Sequence, residues 1–129
     1  MYIRLSNQEE LIGKEVVDIA LKIHKKLGPG LLESVYEKCF CHLLSTRGIA
    51  YYVQKRIPII FEDLLVDDGL KLDLLVEDLV IVELKAHNEY QPIWSAQLLS
   101  YLRLANKRLG YIINFHETLI KNGIKRMVL

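Results

Sequence analysis

Leu70-Lys71-Leu72-Asp73-Leu74-Leu75-Val76-Glu77-Asp78-Leu79-Val80-Ile81-Val82-Glu83-Leu84-Lys85-Ala86 holds two runs of β-forming residues separated by Glu77-Asp78. Side chains alternate faces along a strand. The first run, Leu70 to Val76, therefore sets Leu70, Leu72, Leu74 and Val76 on one face and Lys71, Asp73 and Leu75 on the other. The second, Leu79 to Ala86, sets Val80, Val82, Leu84 and Ala86 against Leu79, Ile81, Glu83 and Lys85. One side of the hairpin is wholly apolar and must pack on a helix. The other is apolar near the turn and charged near the open end. With Asp78 at the centre of the loop, Asp73 lies opposite Glu83, at a Cβ separation of about 4.5–5.5 Å. A slip by one residue would expose an apolar face, which favours this register.

Two carboxylates so close repel each other unless a cation lies between them. A hard divalent ion takes oxygen ligands and keeps several waters, so Asp73, Glu83 and a main-chain carbonyl suit Mg²⁺. Lys85 points to the same face, where it can orient a water or stabilise charge on a phosphate. The competing reading is a solvated sheet face with a cross-strand Glu–Lys pair. Leu75, Leu79 and Ile81 around the charges favour a pocket.

Outward from the hairpin, the N-terminal side reads as two helices. Ser6 and Glu9 have capping-box spacing, and Ile12, Val16, Ile19, Ala20, Ile23 and Leu27 follow a helical period. Gly28-Pro29-Gly30 stops that helix. Leu32, Val35, Tyr36, Cys39, Phe40, Leu43 and Leu44 stripe the next one, which closes at Arg47-Gly48. Its first turn carries Glu33, where a carboxylate favours the helix dipole. Ile49 to Val66 is rich in β-formers and contains Pro58, so it is expected as an edge strand or two strands with a bend. Asp67-Asp68-Gly69 is expected as the turn after it.

On the C-terminal side, His87 to Gln91 is a loop and Pro92 opens a third helix that runs to about Asn106. Gln97 and Tyr101 share a face of that helix, beside the core positions Trp94, Leu98 and Leu102. Leu109 to Phe115 is a buried strand, and a loop at Asn122-Gly123 leads to a last strand, Ile124 to Leu129. The order is α-α-β-β-β-α-β-β, an α/β or α+β class with two or three layers.

The 129 residues fit one domain, residues 1–129, with no repeat or linker. Roughly half are apolar, enough for a core without disulfides. Cys39 and Cys41 diverge on a helix and match no zinc pattern, which fits a reduced, cytoplasmic setting. Met1 to Glu10 lacks the apolar run of a signal peptide, and no stretch is long enough to span a membrane. The net charge of +1 gives no global field for nucleic acid. Local patches could come from Lys25, Lys26, Lys55, Arg56, Arg103, Lys107, Arg108, Lys121, Lys125 and Arg126. His24, His42, His87 and His116 are scattered, and only His87 follows the Glu83–Lys85 strand closely.

Five segments in order carry a resemblance. Gly30-Leu31-Leu32-Glu33-Ser34-Val35-Tyr36 matches a GxxExxY signature. Lys71-Leu72-Asp73-Leu74-Leu75-Val76 and Ile81-Val82-Glu83-Leu84-Lys85-Ala86 match an Asp…Glu-x-Lys core. Ala96-Gln97-Leu98-Leu99-Ser100-Tyr101-Leu102 and Gly110-Tyr111-Ile112-Ile113-Asn114-Phe115 complete the set. From about Glu9 to Leu129 the chain resembles the GxxExxY protein family, which is placed in the PD-(D/E)XK nuclease superfamily. The resemblance implies a restriction-endonuclease-like core, a mixed central β-sheet flanked by helices. It implies Asp73 and Glu83 as metal ligands, Lys85 as the catalytic lysine and Glu33 as an acid touching the metal directly or through water. Gln97 would be the polar residue on the helix after the catalytic strand, and Tyr36 and Tyr101 would lie at or against the substrate site. The proline that names the superfamily is replaced by Leu72. The implied activity is Mg²⁺- or Mn²⁺-dependent phosphodiester hydrolysis of DNA or RNA. The alternative is a non-catalytic module that keeps the fold and binds nucleic acid or protein. A third reading is a homodimer built on apolar surface such as Leu64, Leu65 and Val66.

Overall fold

The computed structural model describes residues 3–129. Met1 and Tyr2, which begin the segment read for a signal peptide, lie outside the described residues. Helix α1 (Asn7–Leu27) starts on the expected capping box: Glu9 N–H donates to Ser6 Oγ at 3.0 Å and Ser6 N–H to Glu9 Oε1 at 2.8 Å. It ends at Gly28, whose φ of +71° suits a residue without Cβ. Helix α2 (Glu33–Thr46) buries Tyr36, Phe40 and Leu44. Among the described residues, no helix is long and apolar enough to cross a membrane.

Strands β1 (Tyr51–Phe61), β2 (Leu64–Val76) and β3 (Val80–Lys85) form an antiparallel meander. Helix α3 (Ile93–Leu104) then crosses over to β4 (Leu109–Asn114), which pairs parallel to β3, as a parallel pair requires. A 3₁₀ turn, Ile120–Gly123, leads to β5 (Ile124–Val128), antiparallel to β4. The sheet order is β1-β2-β3-β4-β5. Helices cover both faces. Val16, Ile19, Tyr36 and Phe40 of the first two helices pack with Leu74, Val76, Val80, Val82, Leu84 and Ile113. Trp94, Leu98 and Leu102 of α3 pack with Leu72, Leu75, Ile81 and Ile112. The result is a three-layer α/β sandwich of the expected order.

Asp67-Asp68-Gly69 is not a turn. The chain reverses earlier, at Glu62-Asp63, where Phe61 pairs with Leu64 and Glu62 has φ +56°. Between the pairs Ile57↔Leu70 and Ile59↔Val66, β1 has only Pro58 while β2 has Asp67, Asp68 and Gly69. The turn-like residues are spent on a bulge opposite a proline that cannot donate to the ladder. Gly69 is required there, because a Cβ on it would come within 2.4 Å of the Ile59 side chain. Pro58 does lie in an edge strand, as expected.

A second departure concerns Leu72. Strict alternation puts it with Leu74, yet Leu72 packs toward α3 and Leu74 toward α1 and α2. The ladder skips Gln54 and Asp73 between Val53↔Leu74 and Lys55↔Leu72, and Gln54 has φ +53°. The pleat is broken where β2 presents Asp73.

Candidate active site

The turn at Glu77-Asp78 has positive φ at both residues, and Leu79 N–H bonds back to Val76 C=O at 2.9 Å. This is the mirror-image turn that suits hairpin twist. The pair Leu74↔Val82 follows, and one more step in that register brings Asp73 opposite Glu83, as expected. There the side chains take over from the ladder. Asp73 N–H donates to Glu83 Oε2 at 3.0 Å, and Leu84 N–H donates to Asp73 Oδ2 at 2.9 Å. Each carboxylate is anchored to the main chain beside the other, so their separation is set by the sheet and not by loose rotamers.

Glu83 is 4% exposed. Burial, and after it the charge of Asp73, pushes its carboxyl from the usual 4.5 up to about 8. Asp73 is also raised: burial outweighs the Leu84 N–H, Lys85 and a hydrogen bond from the Gln54 side chain. Glu33 stands exposed at the start of α2, and it too is raised, first by desolvation and then by Asp73, while Lys85 and His87 oppose the rise. Lys85 acts on all three carboxylates, with Lys71 acting also on Asp73 and His87 on Glu33. Among the described residues Lys85 forms no ion pair within 4.0 Å, and its Nζ lies 5.5 Å from the centre of the Trp94 ring. Among the described residues no Glu–Lys ion pair forms on this face of the sheet.

The other expected residues divide. Tyr101 sits near both carboxylates, and its hydroxyl is raised by burial and then by Glu83 and Asp73. Gln97 lies one turn earlier on α3, half-buried, and makes no hydrogen bond to Asp73 or Glu83. Tyr36 is wholly buried and so does not serve as a substrate-binding residue. Its ring stacks on Phe115 at 4.3 Å, its hydroxyl donates to Gly28 C=O at 2.7 Å, and Leu31 N–H donates to it at 3.1 Å. It fixes the α1–α2 loop that delivers Glu33. Tyr36→Phe removes both part-buried hydrogen bonds of this loop, so it is expected to cost about 0.5–1.5 kcal/mol per bond in a urea melt. An unchanged midpoint would show that the loop does not depend on this hydroxyl.

Two residues were not singled out individually from the sequence. Gln54 links α2 to β2: its Nε2 donates to Glu37 Oε2 at 2.6 Å and its side chain bonds Asp73. Asn114, 2% exposed, accepts from His87 N–H at 3.1 Å and His116 N–H at 3.3 Å, and donates to His87 C=O at 3.0 Å. A lone amide ending an otherwise apolar strand was the available signal. These bonds shape one wall of a cleft of about 540 Å³ lined by Glu33, His87, His116 and the Gly30–Leu32 loop. A larger hollow of about 700 Å³, between α1 and α2, contains none of these residues.

The donor set at the carboxylate pair is all oxygen, carries excess negative charge and has no thiol. It fits a hard divalent ion that keeps part of its water. Among the described residues, no three of His, Cys, Asp and Glu converge into a complete ligand set. Glu33, exposed at the start of α2, lies outside such a set, and the charge of Asp73 still raises its carboxyl.

Neither a curated protein nor a solved structure matches the chain significantly. A family model described as the PD-(D/E)XK nuclease superfamily matches residues 10–127, nearly the whole chain. With the mixed sheet and the acidic hairpin it spans, the chain belongs to the PD-(D/E)XK nuclease superfamily.

Proposed function

We propose that this protein is a divalent-metal-dependent nuclease that hydrolyses phosphodiester bonds in DNA or RNA, and that it falls within the GxxExxY group of its superfamily. The observation that carries this reading is the anchored, buried Asp73–Glu83 pair, with Glu83 pushed to about 8 and no cation in direct contact. Such an excess of buried negative charge is costly unless a cation completes it. Asp73 and Glu83 would hold Mg²⁺ or Mn²⁺, which when bound stabilises phosphate charge and favours water as nucleophile.

The chain's own side chains do the rest. Lys85, half-buried and leaning on Trp94, offers three N–H donors to non-bridging phosphate oxygens or to the attacking water. Glu33, at the solvent side and with a raised pKa, can accept a proton from that water. Tyr101 can donate a hydrogen bond from α3. Gln97, one turn before Tyr101 on α3, would contact the substrate beside it. Cys39 and Cys41, both free, fit a reducing cytoplasmic compartment.

The test is purified protein with Mg²⁺ or Mn²⁺ against single-stranded, double-stranded and branched DNA and RNA. Cleavage of at least one substrate that is lost with chelator is expected. If every substrate survives, the fold serves as a non-catalytic binding module.

A further inference from the structure

The long β1–β2 hairpin ends in a tip that none of the other described residues covers. Ile60 is 72% exposed, Phe61 65%, Leu64 60% and Leu65 56%. Ile60 pairs with Leu65 and Phe61 with Leu64, so apolar side chains lie on both faces of the arm. Large apolar side chains exposed together in this way mark a contact surface. The charges around it are ordered. Lys55-Arg56 precede Ile59 by four and three residues, and Glu62-Asp63 follow it by three and four. Among the described residues no cation pairs with Glu62 or Asp63, and Arg56 has only an exposed contact to Asp68 at 3.5 Å.

We propose that this arm is a dimerisation element whose partner is the same arm of a second copy of the chain. A two-fold axis near Ile59 lays two arms antiparallel, so that Ile59, Ile60 and Phe61 of each copy overlap the Ile57–Ile59 stretch of the other. Lys55 and Arg56 of each copy then face Asp63 and Glu62 of the other. Self-complementarity of one patch is what an isologous contact demands. Pro58 and the bulge beside it blunt pairing through the main chain, so the contact is made by side chains. The acidic doublet at the outermost point repels phosphate, which disfavours nucleic acid or an anionic membrane as the occupant. This inference is independent of the nuclease reading.

Sedimentation velocity and charge reversal test it. The wild type is expected at twice 15.0 kDa at micromolar concentration. Lys55→Glu/Arg56→Glu and Glu62→Lys/Asp63→Lys each set like charges together and are expected to sediment as monomers. Mixed in equal amounts, the two restore opposite charges at both ends of the contact, and the dimer should return. Ile60→Asn, at a fully solvated position, should also be monomeric with an unchanged circular dichroism spectrum. A monomeric wild type, a dimeric single variant, or a mixture that stays monomeric overturns the proposal.

Discussion

Lys85→Ala is expected to lower metal-dependent cleavage at least about a hundredfold, the usual loss when one preorganised donor to a developing negative charge is removed. The expectation follows from what surrounds the ammonium. Lys85 is half-buried beside three carboxylates, yet it pairs directly with none of them and rests near the Trp94 ring. A lysine whose purpose was to neutralise Glu83 would sit within ion-pair distance of it. Held away, it keeps its donors for something that enters the site. Because it is not locked in a buried ion pair, its loss should leave the fold intact, with a stability change within about 1 kcal/mol. Lys85→Met separates charge from packing, since the stem can still cover Trp94. Both variants should lose activity alike under single-turnover conditions at saturating metal. Lys85→Met retaining wild-type rates would remove the lysine from the chemistry, and a collapsed melting transition in both would make it a folding residue.

How much of this was legible without coordinates depends on how local each determinant is. The Asp73–Glu83 register could be read because the apolar residues beside the loop, Leu74 and Val76 with Val80 and Val82, penalise a one-residue slip, and Asp78 marked the centre of the loop. The capping box of α1 and the edge position of Pro58 are equally local. Asp67-Asp68-Gly69 misled because the same residue types serve a turn or a bulge. Which of the two forms is decided by the opposing strand, here by the gap in hydrogen bonding at Pro58. The real reversal, Glu62-Asp63, contains no glycine. Leu72 changed sides because Gln54, on a different strand, adopts a left-handed conformation opposite Asp73. Gln54 and Asn114 reach the site through contacts 17 to 27 residues away in sequence. No periodicity reports such contacts. The nearness of Glu33 to Asp73 followed from the resemblance and not from spacing, and its place at the mouth required the fold.

Without metal, stability should fall as pH rises from about 4.5 to about 8, and a divalent ion should reverse the loss. In the unfolded chain Glu83 releases its proton near 4.5, whereas in the folded protein burial and Asp73 hold it to about 8. Between those values the native state binds more protons than the unfolded state, so unfolding free energy decreases with pH and levels off above the folded value. Asp73 and Glu33 are raised as well and act in the same direction. Mg²⁺ or Mn²⁺ competes with that proton, so its affinity should strengthen toward pH 8 and binding should release protons. At a hundredfold excess over its dissociation constant the ion adds about 2.7 kcal/mol, a rise in melting temperature on the order of 10 °C for a chain of this size. Asp73→Asn distinguishes this from an ordinary surface charge. Its amide oxygen can still accept from Leu84 N–H, and repulsion with Glu83 is gone. The metal-free variant should therefore melt higher than wild type at pH 8 and show most of the metal response erased. An exposed salt-bridge aspartate would behave otherwise: the substitution would be neutral or destabilising by up to about 1 kcal/mol, and metal would shift nothing in either protein. Melts of both proteins at pH 5 and pH 8, with and without Mn²⁺ against an ionic-strength control, separate the two. Equal metal responses would take Asp73 out of the site, and metal-free stability that stays flat or climbs with pH would mean that burial does not hold the proton on Glu83.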